Sequence, residues 1–249
     1  MWPVPAKPYP DPMGAVRSDL VEAICLELGE AGDPRRAKDQ QRYMKSTMAF
    51  RGISAPELKA MVGPLLADPA YLLTGRDQWE ATVRGLWDGA RFREERYAAL
   101  AICGHRLYRL WAVGRASMPL YRYLVESGAW WDFVDDIAAH RVGPVLRAHP
   151  ETESDRMRSW AMAEDLWVRR AAILSQLLSK DGTDRQLLLD CITPNVTDRE
   201  FFIRKAIGWS LRQYSRSGVA AADWVRSIVE ELGPRLSPLS RKEALKHLG

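Results

Sequence analysis

Residues 198–215 read DREFFIRKAIGWSLRQYS, an uninterrupted run of eighteen residues without proline. Apolar side chains recur in it at intervals of three and four, which predicts an amphipathic α-helix. Spacings of four, three and four place four side chains on one stripe: Lys205, Trp209, Arg212 and Arg216. The opposite side is expected to hold Phe202, Ala206 and Ile207. A cationic stripe interrupted by one large aromatic suits a polyanion, although a solvated face with a half-buried tryptophan would give the same pattern.

The rest of the chain repeats this helical character. From Met13 onward there is no hairpin dipeptide between alternating runs and no sustained two-residue period. Short amphipathic segments follow one another instead. The predicted helices cover 14–30, 35–49, 55–67, 77–88, 91–111, 117–127, 130–147, 154–162, 165–179, 183–192, 198–215, 220–232 and 239–248.

The breaks between these segments have the chemistry of helix ends. Two Ser-x-x-Glu runs, Ser54 to Glu57 and Ser240 to Glu243, are predicted to be capping boxes. The first twelve residues contain five prolines and are expected to form an extended, flexible leader. No later linker divides the chain, so residues 13–249 are expected to form a single domain.

About a dozen short helices in sequence indicate an all-α fold, an α-solenoid of stacked HEAT-like helical repeats. No period near 34 residues recurs, so tetratricopeptide repeats fit poorly. A curved stack of this kind has one concave face. We expect the functional residues to lie there.

Composition excludes several classes of protein. The apolar fraction of 47% and charged fraction of 27% are those of a globular chain, and the net charge of +4 permits a polyanionic partner without requiring one. No run of 18 apolar residues and no signal peptide is present, which predicts a cytoplasmic protein with no membrane partner. The three cysteines form no CxxC pair and the four histidines have no metal-ligand spacing. We therefore expect no metal and no cofactor.

The segment WWDFVDDI at 130–137 is the first candidate for chemistry. On a helix, Trp131 and Asp135 lie four residues apart and share a face. Asp132 lies on a different face and is typical of a first-turn residue favoured by the helix dipole. Asp135, beside Val134 and one turn past an aromatic, is the stronger candidate for a catalytic carboxylate.

Two further positions carry charge or an aromatic hydroxyl. Arg170 lies on an apolar stripe with Leu166 and Ile173. Such an arginine either pairs with a buried carboxylate or reaches an external anion, and the residues alone leave both open. Tyr43, in QRYMK at 41–45, is a weaker candidate, since exposed tyrosines are common.

Taken together, these segments resemble the AlkD-like family of alkylpurine DNA glycosylases. The matching pieces cover nearly the whole chain after the leader and come in the family's order. They are RYMK at 42–45, GI..PE at 52–57, LWD at 86–88, WWD.VD at 130–135, W..RRAAIL.Q at 167–176, EFFI.KAIGW.LR.Y at 200–214 and LS.LSRKEALKH at 236–247.

The resemblance implies a DNA repair enzyme of HEAT-like repeats that hydrolyses the N-glycosidic bond of cationic alkylpurines, such as 3-methyladenine and 7-methylguanine, in double-stranded DNA. The family's catalytic aspartate falls on Asp135, and the two tryptophans that pack against the deoxyribose fall on Trp131 and Trp209. DNA contacts fall on three residues, Tyr43, Arg170 and Arg212, and the cationic stripe adds Lys205. A lysine that the family can place two turns after the arginine is Leu178 here, so a phosphate contact is lost or comes from Lys180.

One carboxylate is enough for this chemistry. A purine alkylated at N3 or N7 is already positive and leaves as a neutral base, so the general acid of an ordinary glycosidase is not needed. The family reaches the sugar without a base-flipping pocket, and the protein is expected to act as a monomer associated with the bacterial nucleoid. Two alternatives remain open on the sequence: a non-catalytic DNA-binding relative and a HEAT-type protein scaffold.

Overall fold

The structure, a computed structural model, describes residues 14–248. These residues are mostly helical and form no β-strand; one isolated bridge joins Ala49 and Phe92. The prediction of an all-α fold is confirmed. The proline-rich leader at 1–12 lies outside the described residues.

The chain divides after Ala112 into two compact units. The single-domain assignment of 13–249 therefore stays a prediction. In the amino-terminal unit, 3-10 turns occupy Pro69–Tyr71 and Arg106–Tyr108. Its helices are α1 Ser18–Glu30, α2 Pro34–Met44, α3 Ala55–Ala67, α4 Arg76–Asp88, α5 Arg93–Gly104 and α6 Arg109–Ala112.

The carboxyl-terminal unit contains the candidate segments 130–137 and 198–215. A π-helical turn at Ala138–Val142 joins its second and third helices into one continuous rod. The helices are α7 Met118–Gly128, α8 Trp131–Ile137, α9 Gly143–Ala148, α10 Pro150–Ala161, α11 Leu166–Leu174, α12 Arg185–Ile192, α13 Phe201–Ser215, α14 Val219–Leu232 and α15 Pro238–Ala244. Short 3-10 turns at Arg115–Ser117, Lys180–Gly182, Thr193–Asn195 and Gly233–Arg235 lie between them.

Helices of the carboxyl-terminal unit stack in alternate layers. α8 packs on α11, α11 on α13 and α13 on α15, while α10 packs on α12. When the continuous rod of α8 and α9 is counted as one helix, helices two apart in sequence are spatial neighbours, which is the α-solenoid arrangement. Helix α13 is held by Ile203, Ile207 and Leu211, which are fully buried. Burial of each such side chain stabilises the fold by about 1.5–3 kcal/mol.

One of the two predicted capping boxes is confirmed. The Ser54 side chain accepts from the Glu57 amide at the start of α3, and the Glu57 carboxylate accepts from the Ser54 amide at 2.8 Å. The prediction for Ser240 to Glu243 is wrong. Helix α15 begins earlier and is capped by Ser237, whose hydroxyl accepts from the Ser240 amide at 3.0 Å. Glu243 is therefore free to bind elsewhere.

Several predicted helices are shorter than their periodicity indicates, and two of them show the reason. The segment 35–49 ends at Met44 because Lys45 adopts a left-handed conformation with φ of 49°. The following loop is held by the buried carboxylate of Glu94, which accepts from the backbone amides of three residues, Arg51, Gly52 and Ile53. The segment 91–111 breaks at His105, which is extended. Within residues 14–248, no helix combines the length and the apolar character that crossing a membrane would take.

Candidate active site

The centre of the candidate site is the Asp135 carboxylate on α8. This helix begins at Trp131, after the left-handed Ala129 ends α7 with φ of 41°. The sharp turn lets α8 run back beside α11. The Asp135 side chain is 13% exposed and lies opposite Arg170, with Nε to Oδ1 at 2.7 Å and Nη2 to Oδ2 at 2.8 Å. A two-pronged pair of this kind fixes the plane of the carboxylate.

Arg170 reaches this position from α11. Asp165 caps that helix by accepting from the amides of Trp167 and Val168. The Arg170 side chain is only 5% exposed, and its Nη1 also donates to the backbone carbonyl of Phe202 on α13. One guanidinium therefore ties together α8, α11 and α13. Of the two possibilities that the sequence left open for Arg170, pairing with a carboxylate is present, while contact with DNA stays a prediction.

An aromatic cluster adjoins this ion pair. The ring centroids of Trp130 and Trp167 are 6.0 Å apart, and those of Trp130 and Phe202 and of Trp167 and Phe202 are 5.6 and 4.9 Å apart. The guanidinium of Arg170 lies 5.9 Å from the Phe202 ring centroid. The expectation that Phe202 lies opposite the cationic stripe is wrong, because seven residues are two helical turns and return Phe202 to the side of Trp209.

Burial raises the pKa of Asp135 above the ordinary aspartate value. The loss of hydration is the largest cause, and the neighbouring charges of Asp132 and Asp136 act in the same direction. The hydrogen bonds and charge of Arg170 oppose these effects. Arg170 thus opposes the protonation of Asp135 that burial favours. Each carboxylate oxygen still has a lone pair that Arg170 does not use.

The two predicted tryptophan partners are both partly exposed. Trp131 lies one turn before Asp135 on the same face of α8. Trp209 lies on α13, seven residues beyond Phe202, which is a rise of about 10 Å along the helix. Three predicted site residues, Asp135, Trp131 and Trp209, therefore belong to the same unit and to helices that Arg170 links.

The cations of the α13 stripe have a partner that the sequence did not indicate. The Glu243 carboxylate of α15 contacts Lys205 Nζ at 2.7 Å and Arg212 Nη1 at 2.5 Å. Its Ser-x-x-Glu spacing pointed to a cap, and no local signal reveals a partner on another helix. Arg216, the last cation of the stripe, is exposed.

Tyr43 lies in the amino-terminal unit, near the end of α2. Its side chain is 76% exposed, which makes its ring and hydroxyl available to a partner. In the carboxyl-terminal unit, Leu178 is 41% exposed, and the neighbouring Lys180 is exposed with a left-handed backbone. DNA contacts at Tyr43 and Lys180 stay predictions.

Ligands for a metal ion are not grouped in the described part of the chain: no three His, Cys, Asp or Glu side chains of residues 14–248 come together in a way that could hold one. Cys103 and Cys191 are buried, and Cys25 is partly buried; all three are free thiols. Burial raises the pKa of Cys191 to about 12, so it has no thiolate character near neutral pH.

A stack of helices with a carboxylate held among aromatic and basic side chains defines an all-α protein suited to a cationic or sugar-phosphate ligand. Comparison with known families identifies the class of protein more specifically. The profile of the DNA alkylation repair enzyme family matches residues 24–248, and the chain belongs to that family.

A solved structure supports the same assignment. The chain is similar to a predicted DNA alkylation repair enzyme from Enterococcus faecalis, with 32% identity and a TM-score of 0.76. The match covers 88% of this chain and 97% of that one. A comparison with curated proteins gave no match. The family places this protein in enzymatic DNA repair and implies that it binds DNA.

Proposed function

We propose that this protein is a DNA glycosylase of the AlkD-like type. It removes purines that carry a positive charge after alkylation at N3 or N7, including 3-methyladenine and 7-methylguanine, from duplex DNA. The observation that carries the proposal is the Asp135 carboxylate, held at both oxygens by Arg170 beside an aromatic cluster. Membership of the DNA alkylation repair enzyme family supports it independently.

The proposed reaction breaks the bond between C1′ of the deoxyribose and the base nitrogen. The bonding electron pair goes to the cationic purine, which leaves as a neutral base. The positive charge moves to the sugar as an oxocarbenium ion. Water adds to C1′, its proton passes to Asp135 or to solvent, and an abasic sugar remains.

Asp135 has two roles in this scheme. Its negative charge stabilises the developing oxocarbenium ion, and the free lone pairs of its oxygens orient the attacking water. The electron-rich faces of Trp131 and Trp209 add cation–π attraction to the same charge. Selectivity comes from the lability of the cationic lesion, so the scheme uses no base-flipping pocket.

DNA binding in this proposal rests on contacts that carry no base information. Lys205, Arg212 and Tyr43 meet the backbone, together with the two N–H groups of Arg170 that neither Asp135 nor Phe202 uses. The protein acts as a monomer on double-stranded DNA, in the cytoplasm and close to the nucleoid.

The test is release of 7-methylguanine from methylated duplex DNA, measured with protein in excess over DNA. Release by the wild-type protein, and its loss in Asp135→Asn, is the expected result. Duplex binding without release would favour a non-catalytic DNA-binding relative. The absence of both would favour a protein scaffold.

A further inference from the structure

Glu243 joins two cations that stand on either side of Trp209. Lys205 and Arg212 are seven residues apart on α13, about two helical turns. Oε1 of Glu243 binds Lys205 and Oε2 binds Arg212, so a single carboxylate spans both turns. Trp209, four residues after Lys205 and three before Arg212, lies between them on the same stripe.

Close packing of α15 on α13 makes this reach possible. A Cβ atom at Gly208 would lie 2.5 Å from the Glu243 Cβ and 2.6 Å from the Ser240 carbonyl oxygen. The buried Ser240 hydroxyl donates to the Arg204 carbonyl of α13 at 2.8 Å. Glu243 therefore starts from a fixed backbone, which limits the positions that its carboxylate can take.

The arrangement leaves hydrogen-bonding capacity for a ligand. Glu243 is 14% exposed, whereas Lys205 is 35% and Arg212 is 19% exposed. Glu243 occupies one of three N–H groups on the Lys205 ammonium and one of five on the Arg212 guanidinium. The trio carries a net charge of +1, because one carboxylate offsets one of the two cations.

A phosphate that approached Lys205 and Arg212 would meet two cations that Glu243 already binds. We propose that Glu243 is a positioning residue that lowers the affinity of these cations for undamaged DNA and holds them in a fixed geometry around Trp209. This inference rests on the proposed function. It predicts opposite effects on binding and on catalysis, which neither a purely structural role nor a simple counter-ion produces.

Glu243→Gln in the full chain tests the inference. Affinity for undamaged duplex is measured by fluorescence anisotropy over a range of KCl concentrations. We expect binding to tighten at least threefold and the slope of log K against log [salt] to become steeper by up to about 0.9, since one more phosphate can be neutralised. The single-turnover rate constant for 7-methylguanine release at saturating protein should fall at least fivefold.

Two variants act as controls. Glu231→Gln removes the same charge from an exposed position on α14 and should leave the rate constant unchanged, with little effect on binding. Glu243→Asp keeps the charge but is one methylene too short to span both cations. It should tighten binding to undamaged DNA less than Glu243→Gln does and still release the base more slowly than the wild type.

Several results would overturn the inference. Weaker binding together with slower release in Glu243→Gln would assign Glu243 a structural role, and thermal unfolding would show the loss. Tighter binding with an unchanged rate constant would make it a counter-ion without a positioning role. If Glu243→Gln bound undamaged duplex with wild-type affinity, Glu243 would not compete with phosphate for these cations. If the wild-type protein releases no base, the proposed function fails, while the binding comparison on undamaged DNA still decides whether Glu243 restrains the cations.

Discussion

Arg170 of α11 holds both oxygens of the Asp135 carboxylate on α8, at 2.7 and 2.8 Å. Breaking a buried pair by removal of one partner leaves an uncompensated charge, which typically costs about 3–5 kcal/mol. The pair therefore couples folding to the chemistry proposed for Asp135. From the sequence alone, Asp135→Asn would be expected to leave the fold nearly intact, but the pair changes that expectation.

Asp135→Asn should lower the excision rate constant by two orders of magnitude or more. Loss of one electrostatic stabiliser of a transition state costs about 3–4 kcal/mol. It should also lower the free energy of unfolding by roughly 1–3 kcal/mol, which is less than outright removal of a partner costs, because the asparagine oxygen still accepts one of the two Arg170 bonds. Single-turnover 7-methylguanine release well below the unfolding temperature and urea denaturation measure the two effects.

Asp132→Asn is the matched control for this change. Asp132 lies in the first turn of α8, on a different face of the helix from Asp135. Its excision rate constant should stay within about threefold of wild type. If Asp135→Asn also stayed within threefold, the catalytic assignment of Asp135 would be wrong.

The pH dependence of excision should report the raised pKa of Asp135. Excision needs the carboxylate form, so activity is lost as the pH falls through the pKa of the folded protein. Burial raises this pKa, so the loss should occur at higher pH than for an ordinary aspartate, whose pKa is about 3.9. Arg170→Gln removes the causes that lower the pKa and should move the acid limb higher still.

Ionisation of Asp135 should affect stability in the direction opposite to its effect on activity. A raised folded-state pKa means that the folded protein binds the proton more tightly than the unfolded chain does. Ionisation of Asp135 therefore reduces stability as the pH rises through the interval between the unfolded and folded pKa values.

A pH–rate profile of Arg170→Gln that overlays the wild-type profile would show that Arg170 does not control the titration of Asp135.

Gly208→Ala should separate α15 from α13. The added Cβ would lie 2.5 Å from the Glu243 Cβ and 2.6 Å from a backbone oxygen, so a helix must shift. Overpacking of this kind typically costs about 1–3 kcal/mol. Urea denaturation measures the change, with Gly182→Ala as the control, because a Cβ there meets nothing within 4 Å. Equal stability of the two variants would show that the α13–α15 contact is looser than described.

Salt dependence should separate the phosphate contacts from the internal ion pair. Each cation that meets a phosphate adds about 0.9 to the magnitude of the log K against log [salt] slope. Arg212→Gln should therefore lower that magnitude by about 0.9. Arg170→Gln is the informative comparison. A similar decrease would show that the remaining N–H groups of Arg170 contact DNA, whereas an unchanged slope would show that Arg170 binds only within the protein.

The sequence predicted the helices well because their apolar periodicity is local. It failed where tertiary contacts decide. The predicted helix 91–111 breaks after Gly104, at the extended residue His105, and a glycine inside an apolar periodic segment did not by itself mark that break. Lys45 ends α2 in a left-handed conformation, although lysine is not a residue that typically signals a helix end of this kind. The Ser-x-x-Glu run at 240–243 met the local rule for a cap, yet Glu243 binds Lys205 and Arg212 on another helix.

The candidate site shows the same division. Trp131 and Asp135 share a face through a simple four-residue spacing, and the sequence shows that directly. The partner of Arg170 was left open, because a carboxylate 35 residues earlier in the chain and an external phosphate satisfy an arginine equally well. Only the packing of α8 against α11, which brings Asp135 to Arg170, distinguishes between these two partners.

The range of lesions that the protein cuts is the last prediction. A mechanism with one carboxylate and a cationic leaving group has no general acid, so excision should rank with the lability of the base. We expect 3-methyladenine and 7-methylguanine to be released, and uracil, hypoxanthine and 1,N6-ethenoadenine to remain, because these neutral bases need protonation to leave. The nearest histidine in sequence, His140, is exposed on the π-helical turn, five residues beyond Asp135. Side-by-side release from duplexes that carry 7-methylguanine, uracil or hypoxanthine measures the ranking. Efficient release of uracil or hypoxanthine would require a proton donor or a base pocket, and it would refute this mechanism while leaving the family assignment in place.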